Sequence, residues 1–307
     1  MSDLRAELDN YLALRRALGF KLRRAGLLLA DFISYLEANG TDTITAENAL
    51  AWASLPANAS SDWWAQRLSV VRALARHLHA IDPVHEVPPA VLVPARTHRA
   101  TPYLYSDAEI EALMAAARQL RSPLRAVTFE TLVGLLAVTG LRIGEALRLD
   151  RDDIDLAGGV LRIRETKFGK SREVPLHPST VEALAAYARR RDQLCRRPRD
   201  ASFFVSTAST RLLYCNAHVA WLDLVRRAGL KPRSGKCRPR PHDLRHSFAV
   251  RTLLGWYRDG ADVAARMPLL STYLGHVHPG NTYWYLSAAP ELLTLVAARL
   301  DAAGAQP

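Results

Sequence analysis

The side chains able to do chemistry are concentrated late in the chain. His276 stands in Leu274-Gly275-His276, and Tyr285 follows nine residues on, within Asn281-Thr282-Tyr283-Trp284-Tyr285-Leu286. Pro279-Gly280 turns the chain between them. Two arginine-bearing stretches lie upstream: Pro241-His242-Asp243-Leu244-Arg245-His246 and Thr139-Gly140-Leu141-Arg142-Ile143-Gly144-Glu145. Arginine stays charged and presents a planar fork of donors that fits phosphate oxygens two at a time. Histidine exchanges protons near neutral pH. A tyrosine hydroxyl, with a pKa of about 10, becomes a nucleophile when a base and nearby cations help it lose its proton. As a set, these residues suit attack on a phosphodiester.

Taken singly, each has an ordinary explanation. Arg142 can pair with Glu145 three residues on, as neighbours on a helix do. Arg245 can pair with Asp243, and Tyr285 can be a core aromatic beside Trp284. His242 and His246, four apart, invite a zinc reading, since His-Asp-Leu-Arg-His is close to the metalloprotease pattern His-Glu-x-x-His. Aspartate reaches less far than glutamate, however, and the surrounding cations disfavour a divalent metal. Tyr283 remains the alternative nucleophile.

Composition narrows the target. The 307 residues hold 41 Lys+Arg against 30 Asp+Glu, a net charge of +11. With a pI near 9.9, that is the electrostatic footprint of a protein that meets a polyanion, most often nucleic acid. Cys195, Cys215 and Cys237 are far apart and form no Cys-x-x-Cys pair, which argues for a reducing compartment and against a thiolate zinc site. No stretch reads as a signal peptide or approaches the ~18 apolar residues of a membrane span. The expectation is a soluble, cytoplasmic protein with no membrane partner.

The elements that must position these groups read as follows. Residues 1–82 are expected to be all helix, with a third helix capped by Thr45 and a fourth capped by Ser60 or Ser61. Arg15, Arg16, Lys21, Arg23, Arg24, Arg67, Arg72 and Arg76 fall between the apolar positions, and some of them are expected to track phosphates. Residues 83–102 hold five prolines with Arg96, His98 and Arg99, and read as an extended basic linker. A second domain, 103–307, opens at a capping box, Ser106-Asp107-Ala108-Glu109. A buried helix over Phe129 to Val138 ends at Gly140, and a new helix starts near Arg142. From Asp152 to His177 the period falls to two, predicting a small antiparallel sheet with Lys167 at the lip of a hairpin. Helix resumes at Ser179-Thr180-Val181-Glu182, read as another capping box. A further helix over Asn216 to Ala228 is expected to turn Val219, Leu222 and Val225 inward, and Pro241-His242 starts another whose positive end can face an anion. Pro290 restarts a last helix.

Thr-Gly-Leu-Arg-Ile-Gly-Glu, Thr-Lys-x-x-Lys-x-Arg-x-Val-Pro-Leu, His-Asp-Leu-Arg-His, Leu-Gly-His and the closing tyrosine occur in that order. In these residues, over roughly 103–290, the chain resembles the tyrosine recombinases, the phage integrase family that includes XerC and XerD. Type IB topoisomerases share the chemistry but lack this compact spacing. The resemblance implies a mainly α fold with a small antiparallel β-sheet, in which an N-terminal helical core-binding domain precedes an α+β catalytic domain. It implies a site-specific DNA recombinase that cuts and rejoins through a 3′-phosphotyrosyl intermediate, with no cofactor, metal or ATP. Arg142 and Arg245 fall at the family's two arginines, Lys167 at its hairpin lysine and general acid, His242 and His276 at its further catalytic positions, and Tyr285 at its nucleophile. His242 would serve as base, and Glu145 would orient a neighbour. The implied partners are a double-stranded DNA recombination site, further copies of the chain in a tetrameric synapse, and an accessory recombinase or directionality protein. The last helix would dock on a neighbouring protomer or on its own domain. A DNA-binding regulatory relative without turnover is the competing reading, and the complete catalytic set argues against it.

Overall fold

A computed structural model describes residues 4–93, 101–164 and 171–288, with side chains to 286. The chain forms two compact units, 1–99 and 100–307.

Among its described residues the first unit holds four helices: α1 (Leu4–Ala17), α2 (Arg23–Ala38), α3 (Ala46–Ser54) and α4 (Ser61–His79). Short polar side chains start two of them. Thr45 accepts from the Asn48 N–H at 3.1 Å, and Ser60 accepts from the Trp63 N–H at 3.3 Å. Leu8, Leu12, Phe32, Ile33, Leu36, Trp52, Leu68, Val71 and Leu74 close one core. Two of the basic residues are committed to this fold. Arg67 is buried, donates to the Trp52 carbonyl at 2.9 Å and lies over the Trp52 ring. Arg72 donates to the carbonyls of Pro88 and Pro89, and Leu92 and Val93 pack on the core, so residues 83–93 lie along the first unit.

The second unit begins with α5 (Asp107–Arg118), opened by the Ser106–Glu109 capping box, and α6 (Pro123–Thr139). α6 is apolar nearly all round and buried accordingly. After it come α7 (Ile143–Ala146) and the strands β1 (Ile154–Asp155), β2 (Val160–Ile163) and β3 (Arg172–Pro175). The sheet is antiparallel in the order β1-β2-β3, with Leu161 opposite Val174 and Arg162 opposite Glu173. Alternation therefore puts Leu161, Ile163 and Val174 inward and Arg162 and Glu173 outward. Among the described residues, the helices α8 (Pro178–Leu194), α9 (Tyr214–Arg227), α10 (Asp243–Arg258), α11 (Val263–Leu274) and α12 (Gly280–Ala288) follow. Phe203, Phe204 and Val205 form a core plug.

Two local expectations fail. α8 starts not at a Ser179 capping box but at Pro178, and His177 caps it by accepting from the Ser179 N–H. Proline's fixed φ and missing N–H suit the first helical position, which moves the start two residues earlier. In α9, Val219 and Leu222 face outward, while Ala217, Ala220, Trp221 and Leu224 face the core. Burying Trp221 removes more apolar area than burying either aliphatic, so its stripe sets the rotation of the helix.

Two anchors fix the start of α10. The Tyr105 N–H donates to Ser247 Oγ at 2.7 Å, and Ser247 Oγ donates to the Asp243 carbonyl. The buried Asp243 carboxylate holds Arg240 through two 2.9 Å contacts. Burial pushes the Asp243 carboxyl pKa up, and Arg240 opposes it.

Candidate active site

The site is built on the C-terminal end of α11. Gly275 ends that helix in the left-handed region, φ +68°, and the His276 N–H closes back on the Ser271 carbonyl at 3.0 Å. A helix end leaves carbonyls without helical partners and carries partial negative charge. Here three guanidinium groups meet three consecutive carbonyls. Arg172 Nε donates to Tyr273 O at 2.9 Å, Arg245 Nη2 to Leu274 O at 2.7 Å and Arg142 Nη2 to Gly275 O at 3.2 Å. The next residue is His276.

Arg245 also donates from Nη1 to Gly140 O at 2.9 Å, so it joins the ends of α6 and α11. Gly140 caps α6 at φ +61°, and a Cβ there would stand 2.5 Å from Phe248 Cδ1. Only glycine satisfies both demands. Arg245 is 1% exposed, and both of these partners are carbonyls. Burial, then the charge of Arg142, pushes its pKa down to about 10. It remains a cation at neutral pH, in a pocket that would be relieved by an anion.

Glu145 is the hub of the arginines. Its carboxylate accepts from Arg142 Nη1 at 2.8 Å and the Arg142 N–H at 3.1 Å, and from Arg172 Nη2 at 2.8 Å and Nη1 at 3.3 Å. Burial pushes the Glu145 pKa up, but the bonds and charge of Arg172, then those of Arg142, outweigh it and leave a value of about 2. Of the two cations, Arg142 keeps a side-chain exposure of 35% and Arg172 is mostly covered.

The aromatic and imidazole rings form a chain. His242 and His246 lie 4.9 Å apart, His246 and Tyr285 5.4 Å, and Tyr285 and His276 6.0 Å in a near-parallel stack. His276 Nδ1 is 2.7 Å from Thr282 Oγ1, which fixes the plane of its ring. His242 touches solvent, yet the protein packed around it, followed by Arg245, Arg142 and Arg240, pushes its pKa down to about 4. It is neutral, and able to take a proton, at physiological pH. Tyr285 is 2% exposed, and Tyr283 is 50% exposed on the opposite side of the same helix.

The structure thus gathers Arg142, His242, Arg245, His276 and Tyr285 around one helix end. Lys167 lies outside the described residues, as does the last helix expected after Pro290. Sequence reasoning gave Arg172 no role. A signal was there: it sits two residues from the buried Val174, on the inward face of β3, where a charge needs a partner. Among the described residues no helix is long and apolar enough to cross a membrane.

Comparison with known proteins gives a consistent result. The model of the phage integrase family matches residues 104–291. Over 307 residues the chain is 45% identical to the Sinorhizobium fredii protein named "Putative integrase/recombinase y4rB", covering 98% of both. It is 39% identical over 175 residues to tyrosine recombinase XerD of Mycobacterium tuberculosis, 56% of this chain and 50% of that one. Among solved structures, the Tn1549 transposon integrase in complex with transposon right end DNA aligns with TM-score 0.68 at 16% identity, over 97% of this chain and 99% of that one. A lambda integrase dimer bound to a core site aligns with TM-score 0.61 at 19% identity, over 92% and 76%. At these identities the structural likeness is one of fold.

Proposed function

The chain belongs to the phage integrase family of tyrosine recombinases, DNA strand-transferring enzymes, and on that footing we propose how its own residues carry out site-specific cutting and rejoining. The observation that carries the reading is the meeting of Arg142, Arg245 and His276 at one helix end, with the Tyr285 ring stacked on His276. The substrate is a double-stranded DNA site. Arg142 and Arg245 bind the non-bridging oxygens of the scissile phosphate and oppose the charge that grows as phosphorus becomes five-coordinate, each donor group contributing roughly a hundred- to thousandfold in rate. His276 donates to a phosphate oxygen.

Tyr285 Oη attacks phosphorus, its proton passes to His242, and the bond to the 5′ oxygen breaks. Lys167 gives that oxygen a proton, so a 5′-hydroxyl leaves and a 3′-phosphotyrosyl bond remains. The bond keeps the phosphoester energy, so a second 5′-hydroxyl reseals the strand without ATP. Because Tyr285 is sealed from solvent in the DNA-free chain, α12 must shift to present the phenol. Exchange of strands requires several active sites on two DNA segments. We assign the work to an oligomer on DNA, four copies in the complete synapse, with room for an accessory recombinase or directionality protein.

Suicide DNA, nicked beside the crossover so that the leaving fragment diffuses away, tests the assignment. The covalent adduct is expected with wild type and Tyr283→Phe and absent with Tyr285→Phe. An adduct that survives in Tyr285→Phe removes Tyr285 from the mechanism.

A further inference from the structure

Arg172 has no part in the reaction described above, yet it commits a mostly covered guanidinium to the site. Its Nε is bound to Tyr273 O and both Nη groups to Glu145, and it is mostly covered, so it is not placed to hold a DNA phosphate itself. Its effect is on Arg142. A lone Arg142–Glu145 pair at 2.8 Å is neutral overall, and the carboxylate behind Arg142 would offset a large part of the guanidinium's attraction for a phosphate. Two guanidinium groups around one carboxylate leave a net charge of +1, and Arg142 is the member that reaches the surface.

We propose that Arg172 is a positioning residue that neutralises Glu145, so that Glu145 can hold Arg142 in place without cancelling its charge toward the phosphate. The assignment rests on the recombinase reading for which phosphate is bound, not for the charge balance itself. Two further observations agree with it. Arg172 ranks ahead of Arg142 among the causes that keep the Glu145 carboxyl ionised. A Cβ at Gly275 would come within 2.7 Å of Arg172 Nη1, so the glycine before His276 also leaves room for this guanidinium. The same residue ties β3 to the end of α11, which couples the charge balance to the turn that carries His276.

Inorganic phosphate titrated into the DNA-free chain, followed by the guanidinium NMR signals of Arg142, tests the charge argument without requiring DNA cleavage. Arg172→Met should weaken phosphate about tenfold, as expected for a unit charge removed at this range in a half-wet site. Adding Glu145→Gln to Arg172→Met should restore affinity to within about threefold of wild type, because a neutral amide no longer offsets Arg142. A clamp of purely structural value predicts the opposite, a double variant as weak as or weaker than the single. Unchanged affinity in Arg172→Met, or no recovery in the double variant, overturns the inference. If Arg172→Met does not fold, Arg172→Lys decides: it keeps the charge and loses the fork, so affinity within about threefold of wild type supports the proposal and a tenfold loss overturns it. The adduct on suicide DNA is scored separately. A wild-type chain that forms none sinks the recombinase reading and leaves the phosphate titration to judge Arg172.

Discussion

The first unit buries Arg67 and the second buries Arg191 and Arg245, and Arg67 and Arg245 are treated differently. Arg67, in the first unit, donates to the Trp52 carbonyl, lies 3.7 Å over the Trp52 ring and has Asp31 at 3.6 Å. Its charge is answered locally, by a carboxylate and a π face. Arg245, in the second unit, donates to two carbonyls and lies beside a second cation, Arg142, whose charge pushes its pKa down further. Burial disfavours both charges. A buried cation with a local counter-charge is part of a scaffold. One whose hydrogen bonds go to neutral carbonyls, with other cations beside it, is suited to bind an anion.

The comparison breaks first at Arg245. Arg245→Met should slow single-turnover adduct formation by about three powers of ten, since it removes a charged fork from the transition state. If the rate holds while the melting temperature falls, Arg245 is a second Arg67 and the distinction is lost. Arg67→Met is the mirror experiment. It should destabilise the first unit by about 2 kcal/mol, through the lost hydrogen bond and stacking, and leave the chemical step at saturating DNA within about twofold. Urea unfolding and single-turnover kinetics on the same preparation separate the two effects, and a large loss of rate at saturating DNA would show that burial alone does not mark a scaffold residue.

The smallest effect sharpens the electrostatic part. Protein packing and the cations around Arg245 depress His242 from the ordinary 6.5 to about 4. A depressed pKa keeps the imidazole unprotonated as pH falls from 7 toward 5, so a base with that pKa stays competent over the window in which an ordinary histidine would be lost. The second-order rate of adduct formation, which reports the free protein, should fall by less than about twofold between pH 7 and 5.5. An acid limb centred near 6.5 would mean that the cationic field does not reach His242 or that another group is the base.

Much of the scaffold was legible because its signals are local. Ser106 and Glu109 lie three apart and cap α5 as their spacing predicts, and Thr45 caps α3. The alternation in Val160–Ile163 and Arg172–Pro175 gave the sheet. The failures were local too, but involved competing signals. Pro178 and Ser179 both suit a helix start, and sequence alone does not say which register wins. In α9 two apolar stripes overlap, and only the neighbouring core shows that Trp221, not Val219 and Leu222, turns inward.

The sequence by itself determined the basic charge, the order of the arginines, histidines and tyrosine, and most of the helix and strand starts, because these depend on composition and on neighbours a few positions away. Tertiary structure alone decided that Arg142, Arg172 and Arg245 cap the same turn, through partners 133, 101 and 29 residues distant, and that Arg172 shares Glu145 with Arg142. Hydrogen bonds across such separations leave no periodicity in the chain. They are set when the two helix ends and the strand are packed together and each buried donor must find an acceptor.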